Sequence, residues 1–269
     1  MSVAPPVTFP LADIWIGTIG NTMTEQSFLA AGLAALLLFP LAGRANDEGT
    51  PPPESPHSFS ANVGAVGNYV WRGLTQTDNG PALQGGLDYS HASGLYAGTW
   101  ASNVDFGEDS PSFELDLYLG YSGSLLEDLE YDLNVMYYAY PDGDDSDFAE
   151  AAGNLTYKWF TLGLAYTFYG QNEDGLYDQG DWYFQGDFEY AELPFDLILG
   201  LHLGYTDFKN GRIDDLPNAD YWDYGASLGK ELGEFGTVSI NYAQNNGDPD
   251  SDMGFDNDPM FWLGWLKEF

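Results

Sequence analysis

From Ser58 to Phe269 apolar and polar residues alternate with period two, in segments separated by turn-forming stretches. In the first segment, 58–73, Phe59, Ala61, Val63, Ala65, Tyr69 and Trp71 share one face, and Ser60, Asn62, Asn68 and Arg72 the other. Segment 112–122 sets Phe113, Leu115, Leu117, Leu119 and Tyr121 against Glu114, Asp116 and Tyr118. Segment 160–169 sets Phe160, Leu162, Leu164, Tyr166 and Phe168 against Thr161, Gly163, Ala165 and Thr167. Segment 195–206 sets Phe195, Leu197, Leu199, Leu201, Leu203 and Tyr205 against Asp196, Gly200, His202 and Thr206. The last segment, 260–269, carries Phe261, Leu263, Trp265 and a terminal Phe269 in one row that Lys267 interrupts. Segments near 81–90, 94–102, 130–140, 149–158, 181–190, 221–230 and 235–244 bring the set to about twelve strands. Their length, roughly ten residues, suits a tilted strand crossing a bilayer.

The connections sort into two alternating classes. The short ones are 90–94, 122–129, 158–159, 191–194 and 231–234; the long ones are 74–80, 103–111, 141–148, 170–180, 207–219 and 245–259. A soluble β-sandwich shows the same residue alternation but has no reason to alternate loop length. An all-β, antiparallel up-and-down transmembrane barrel has short turns at one rim and long loops at the other. Tyr and Trp gather at segment ends (Tyr69 and Trp71, Tyr89, Tyr121, Tyr131, Tyr157 and Trp159, Tyr190, Tyr205, Trp222), as two interfacial belts would require.

Composition adds a sign and an address. Asp and Glu number 42 against 7 Lys and Arg, a net charge of −35, and there is no Cys. Such a field repels nucleic acid and anions and attracts cations. A protein without disulfides must draw its stability elsewhere, and a closed strand ladder supplies it. An apolar run from Phe28 to Leu41, ending in Gly43-Arg44-Ala45, reads as a signal peptide over 23–45, cut after Ala45. Residues 1–22 then read as an over-extended start, 46–57 as a Pro-rich spacer and 58–269 as the barrel. Export would deliver the chain to the bacterial outer membrane. Its expected partners there are lipid and lipopolysaccharide, the barrel-assembly machinery (through the C-terminal strand) and small solutes.

Within 58–141 the chain resembles a known family. The runs SANVGAVGNYVWRGLTQT at 60–77, PALQGGLDYSH at 81–91 and GLYAGTWASNVDF at 94–106 are similar to the opening strands of the TorF-like porin family of proteobacteria. ELDLYLGY at 114–121, EYD at 130–132 and YAYP at 138–141 continue the likeness. The resemblance implies an outer-membrane barrel acting as a channel, and carries no catalytic or ligand-binding residue with it.

Little points to catalysis. The three histidines are His57 in the spacer, His91 in a turn and His202 on an inward face, and no GxSxG, HExxH or Walker sequence occurs. An outer-membrane lipid hydrolase would need a Ser beside His202 or His91. The acidic loops offer oxygen ligands at 142–147 and at Asp248, Asp250 and Asp252, where bound calcium is one reading. Gly254 falls one residue late for an EF-hand-type loop, and the other reading is a solvated face that bridges to lipopolysaccharide through divalent ions. The alternation points Arg72, Asp88, Glu114, Asp116, Asp132, Glu150, Lys158, Asp187, Glu189, Asp196, His202 and Lys230 into the lumen. Carboxylates dominate that set, with Arg72 and Lys158 paired to some of them. Rings of carboxylates line cation-preferring pores. The expectation is a passive channel for small polar or cationic solutes, without cofactor or reaction. The alternatives are an ion-paired plug in the lumen and a non-conducting barrel that binds through its acidic loops.

Overall fold

A computed structural model describes residues 55–108, 110–172, 177–209, 219–248 and 256–269. The signal-peptide and start-site expectations lie outside these residues. Twelve strands close into one antiparallel barrel. They are β1 (His57–Val66), β4 (Ala82–His91), β5 (Leu95–Asn103), β6 (Phe113–Leu126), β7 (Leu129–Ala139) and β8 (Phe148–Tyr157), followed by β9 (Phe160–Gly170), β10 (Trp182–Leu193), β11 (Leu197–Asp207), β12 (Tyr221–Glu231), β13 (Thr237–Asn245) and β14 (Met260–Glu268). The remaining two, β2 (Val70–Trp71) and β3 (Leu74–Thr75), pair only with each other. Sequential neighbours pair all round, and β1 closes the ring against β14 from Asn62↔Glu268 to Val66↔Gly264. This is the all-β up-and-down barrel that the alternation predicts.

The phase of each strand follows its side chains. On β9, Leu162 is 69% exposed on the outer surface whereas Thr167 is fully buried inside. On β14, Leu263 is 67% exposed, while Met260 and Trp262 are buried inside. Leu83, Leu87, Leu117, Leu119, Leu133, Leu203 and Ile240 extend the exposed apolar face around the barrel. An apolar surface of that extent is untenable in water. The inside instead buries Gln84, Asp88, Glu114, Asp116, Glu150, Asp223 and Asn241. This is inverted relative to a water-soluble sandwich and suits lipid outside.

Aromatics pair between strands near both rims on the outer surface. Phe59 meets Tyr89 at 5.2 Å between ring centroids, and Trp159 meets Tyr190 at 5.4 Å, on the short-turn side. Tyr166 with Trp182 at 4.7 Å and Tyr205 with Trp222 at 4.8 Å lie on the long-loop side.

Two boundaries depart from expectation, and the short 158–159 connection is found where expected. The first strand ends at Val66 and not at residue 73, so Tyr69 and Trp71 leave the outer face and are buried inside. Strand β11 begins at Leu197, because Phe195 (φ 71°) and Asp196 (φ 57°) form the turn before it. Between β8 and β9 the ladder runs to Tyr157↔Phe160, leaving Lys158 (φ 56°) and Trp159 as a two-residue hairpin turn.

Leu119 projects outward near the middle of β6. Leu119→Arg should cost about 2–4 kcal/mol of stability in lipid vesicles, read by urea unfolding. Wild-type stability would count against a lipid-facing surface.

Candidate functional site

After Val66 the chain turns away from the wall. Gly67 keeps one bond to it, donating its N–H to Leu263 O at 2.8 Å, and the chain then folds into the lumen as the β2–β3 hairpin. The turn residues Arg72 (φ 47°) and Gly73 (φ 72°) both take left-handed backbone, as a tight two-residue hairpin requires. Gly73 is needed twice over, since a Cβ there would lie 2.5 Å from Asp223 Cβ.

The base of the insertion is tied by its own polar side chains. Thr75 Oγ1 donates to Asn68 Oδ1 at 2.7 Å, and Asn68 Nδ2 to Asn79 Oδ1 at 2.9 Å. Thr77 Oγ1 donates to Gly80 O at 2.7 Å. Asp105 N donates to Gln76 O at 2.8 Å, joining the insertion to the β5–β6 connection.

The tip is gripped by the far wall. Arg72 Nη1 and Nη2 donate to Glu150 Oε1 and Oε2 at 3.0 and 2.7 Å, a two-pronged pair with both side chains buried. Glu150 also accepts from Thr167 Oγ1 at 2.9 Å and Tyr138 OH at 3.3 Å. The guanidinium carbon sits 4.1 Å from the centre of the Tyr183 ring and 4.3 Å from that of Trp71. Tyr221 OH donates to Arg72 O at 3.0 Å, and Asn245 Nδ2 to Gly73 O at 2.8 Å. Tyr69, Val70 and Trp71 pack with Trp100, Tyr138, Tyr140, Phe148, Met260 and Trp262. The long-loop half of the lumen is therefore filled.

The short-turn half is polar and more open. Tyr118 OH bonds Asp88, and Tyr96 OH donates to Asp132 Oδ2 at 2.7 Å, with Asn134 Nδ2 on Asp132 Oδ1 at 2.8 Å. Gly98 lets the Tyr118 ring lie flat on the wall, since a Cβ there would come within 2.5 Å of that ring. His202 stands between two carboxylates, with Nδ1 2.6 Å from Asp187 Oδ1 and Nε2 2.9 Å from Asp223 Oδ1. Tyr183 OH lies 3.0 Å from His202 Nε2, so one tyrosine carries Arg72 on its ring and contacts the histidine with its hydroxyl. Asn154, Gln185, Asp187 and Glu189 are half-buried around this space.

The structure sorts the residues that the alternation directs inward. Asp88, Glu114, Asp116, Asp132, Glu150, Asp187, Glu189 and His202 stand on the inward phase of their strands. Arg72 is inside too, on the hairpin and not on the wall. Lys158 is a correction: it sits exposed in the β8–β9 turn, 3.4 Å from Asp128 of the neighbouring turn. Asp196 is a second correction, exposed in the β10–β11 turn. Lys230 is a third, sharing the outward phase of Trp222, Tyr224 and Leu228 on β12. Periodicity gave no sign of Tyr69, Trp71 or Asp223 as lumen residues, and Tyr183, in step with the inward Asp187 and Glu189, was passed over. Gly67-Asn68, Arg72-Gly73 and Asn79-Gly80-Pro81 are the turn signals that mark the departure from the wall.

In the acidic loop at 142–147, Asp142 accepts from Ser112 Oγ at 2.5 Å and Ser112 N at 3.0 Å, and these bonds hold its carboxyl below the usual range. Asp147 accepts from Tyr137 OH and Tyr140 N. Of the calcium candidates, Asp248 is exposed, and Asp250 and Asp252 lie outside the described residues. No group of three or more His, Asp or Glu among the described residues is placed to hold a metal.

Residues 50–259 match the model of the family Gcw_chp, described as a bacterial protein of unknown function. The chain belongs to this family. A search of curated proteins finds no match. Among solved structures the barrel is similar to the NanC porin, at 12% identity over 78% of this chain and 98% of that one, TM-score 0.49. It is similar to the KdgM porin at 8% identity over 78% and 98%, TM-score 0.46. It is also similar to the outer membrane protein OprD from Pseudomonas aeruginosa, at 16% identity over 70% of this chain, TM-score 0.40, and the match spans 59% of the OprD chain.

Removing one member of a buried ion pair costs about 3–5 kcal/mol. Arg72→Ala should therefore speed amide exchange across 67–80 while leaving the barrel strands protected. In a double-mutant cycle with Glu150→Ala the two losses should fall short of additivity; full additivity would show that the pair does not hold the hairpin.

Proposed function

We propose that the chain spans the bacterial outer membrane as a channel for small polar or cationic solutes, narrowed by its inward hairpin. The carrying observation is the inverted barrel, whose apolar outer surface surrounds a lumen dominated by carboxylates. Lumen Asp132, Asp187 and Glu189 line the open short-turn half. Fixed carboxylates lower the energy of a cation there and raise that of an anion. The mechanism is electrostatic focusing and passive diffusion, and no bond is made or broken. The resemblance of 58–141 to the TorF-like porins supports it, and the reading carries with it the signal peptide expected over 23–45, the outer-membrane address and the lipid and assembly partners.

The hairpin favours a second reading, a barrel that does not conduct. With Tyr69 and Trp71 packed against the wall and Arg72 bound to Glu150, passage through the long-loop half requires the hairpin to shift. The two readings part in one experiment. The protein from Asn46 onward is reconstituted in a planar bilayer under a salt gradient. Discrete conductance steps with a cation-selective reversal potential are expected. Asp132→Asn with Asp187→Asn should move that potential toward zero, and Arg72→Ala should enlarge the steps. Silence from both the wild type and Arg72→Ala, with insertion verified, would sink the channel reading.

A further inference from the structure

The long-loop rim encloses a pocket of about 650 Å³, a size suited to a small organic solute. Its floor is aromatic: Trp71 of the hairpin meets Tyr177 at 4.6 Å and Phe148 at 5.9 Å between ring centroids. Phe106 and Tyr140, 6.1 Å apart and edge to face, form a side wall. Asp78 and Asp145 stand exposed at its margin, and among the described residues neither carboxylate is engaged in a hydrogen bond or ion pair. Among the described residues no Lys, Arg or His lines the pocket.

Two further carboxylates stand behind the Tyr140 wall. Glu114 accepts from Tyr140 OH at 3.1 Å through Oε1, and its Oε2 is buried without a partner. Asp116, two residues along the same face of β6, likewise buries Oδ1 unpartnered. Both residues are more than nine-tenths buried, and among the described residues neither forms an ion pair. The pocket thus combines aromatic faces with negative potential from the carboxylates at its margin. Ring faces with carboxylates attract organic cations, while simple anions are repelled.

The molecule displays the same recognition on itself. The guanidinium of Arg72 lies against the rings of Trp71 and Tyr183 and is neutralised by Glu150. Trp71 therefore shares one aromatic cluster between an internal cation and the pocket.

We propose that this pocket binds organic cations of the alkylammonium class, with the cationic head over the Trp71, Phe148 and Tyr177 floor and within reach of Asp78 and Asp145. It deepens the channel reading by naming the class of solute held at the mouth.

The test uses the full barrel in detergent micelles and isothermal titration calorimetry with choline. Its neutral isostere 3,3-dimethyl-1-butanol and the anion 3,3-dimethylbutyrate serve as probes of matched shape. Choline should bind saturably, the alcohol at least about ten-fold more weakly, and the anion not at all. Asp78→Asn with Asp145→Asn, and separately Phe106→Ala, should each weaken choline about two- to five-fold. All these positions are exposed, so the variants should fold. Equal heats for choline and its neutral isostere, or no saturable choline heat, would overturn the proposal. So would saturable binding of maltose without choline, which would assign the same rings to a neutral sugar. Binding is read without ion flow. A silent barrel that holds choline would remove the channel and keep the site; a conducting barrel that ignores choline would do the reverse.

Discussion

Closure of the strand ladder governs everything else in the molecule. With β1 hydrogen-bonded to both β14 and β4, each strand has a neighbour on either side and the sheet has no free edge. Backbone groups are thus satisfied without water, which frees the outer surface to be apolar. The same closure creates an enclosed interior, and the carboxylates, tyrosines and single histidine placed there must satisfy one another. The bonds of Tyr118 to Asp88, Tyr96 to Asp132 and Asp187 and Asp223 to His202 are how they do so. Satisfaction is incomplete: among others, Glu114, Asp116 and Tyr177 each keep one buried oxygen unpartnered.

Into this interior the chain inserts its own hairpin, and the insertion changes what the lumen can be. An open twelve-stranded ring would leave a narrow aqueous passage. Here one half is packed like a protein core, with Trp71 and Tyr69 at its centre, and the other half is lined by half-buried polar and charged side chains. Arg72 makes the packing specific. It carries a positive charge into a carboxylate-rich space, where Glu150 and two aromatic faces fix its position.

Much of this was legible from periodicity, and its failures have physical causes. The wall strands announced themselves because residues such as Leu162 and Thr167 face different media. Glu114 and Asp116 were legible for the same reason, as polar residues within an apolar row. Tyr69 and Trp71 were misplaced because they continue the outward phase of Phe59 in sequence. Only backbone chemistry, Gly67 and the Arg72-Gly73 turn, breaks that continuity. Tyr183 shares the phase of Asp187 and Glu189 and was passed over because tyrosine serves both the outer belt and the lumen. Lys158, Asp196 and Lys230 were misplaced at strand ends, where a shift of one residue exchanges inside for outside.

The hairpin's contacts also impose an order in time. Its tip bonds to Glu150, Tyr221 and Asn245, which lie 78, 149 and 172 positions further along the chain. None of these contacts can exist until the corresponding later strand has been laid into the ring. The segment that arrives among the first is therefore seated among the last, and its long-range contacts make that docking a slow, late event. The bond from Asn245 on β13, the last strand but one, to Gly73 thus waits until the circle is nearly complete.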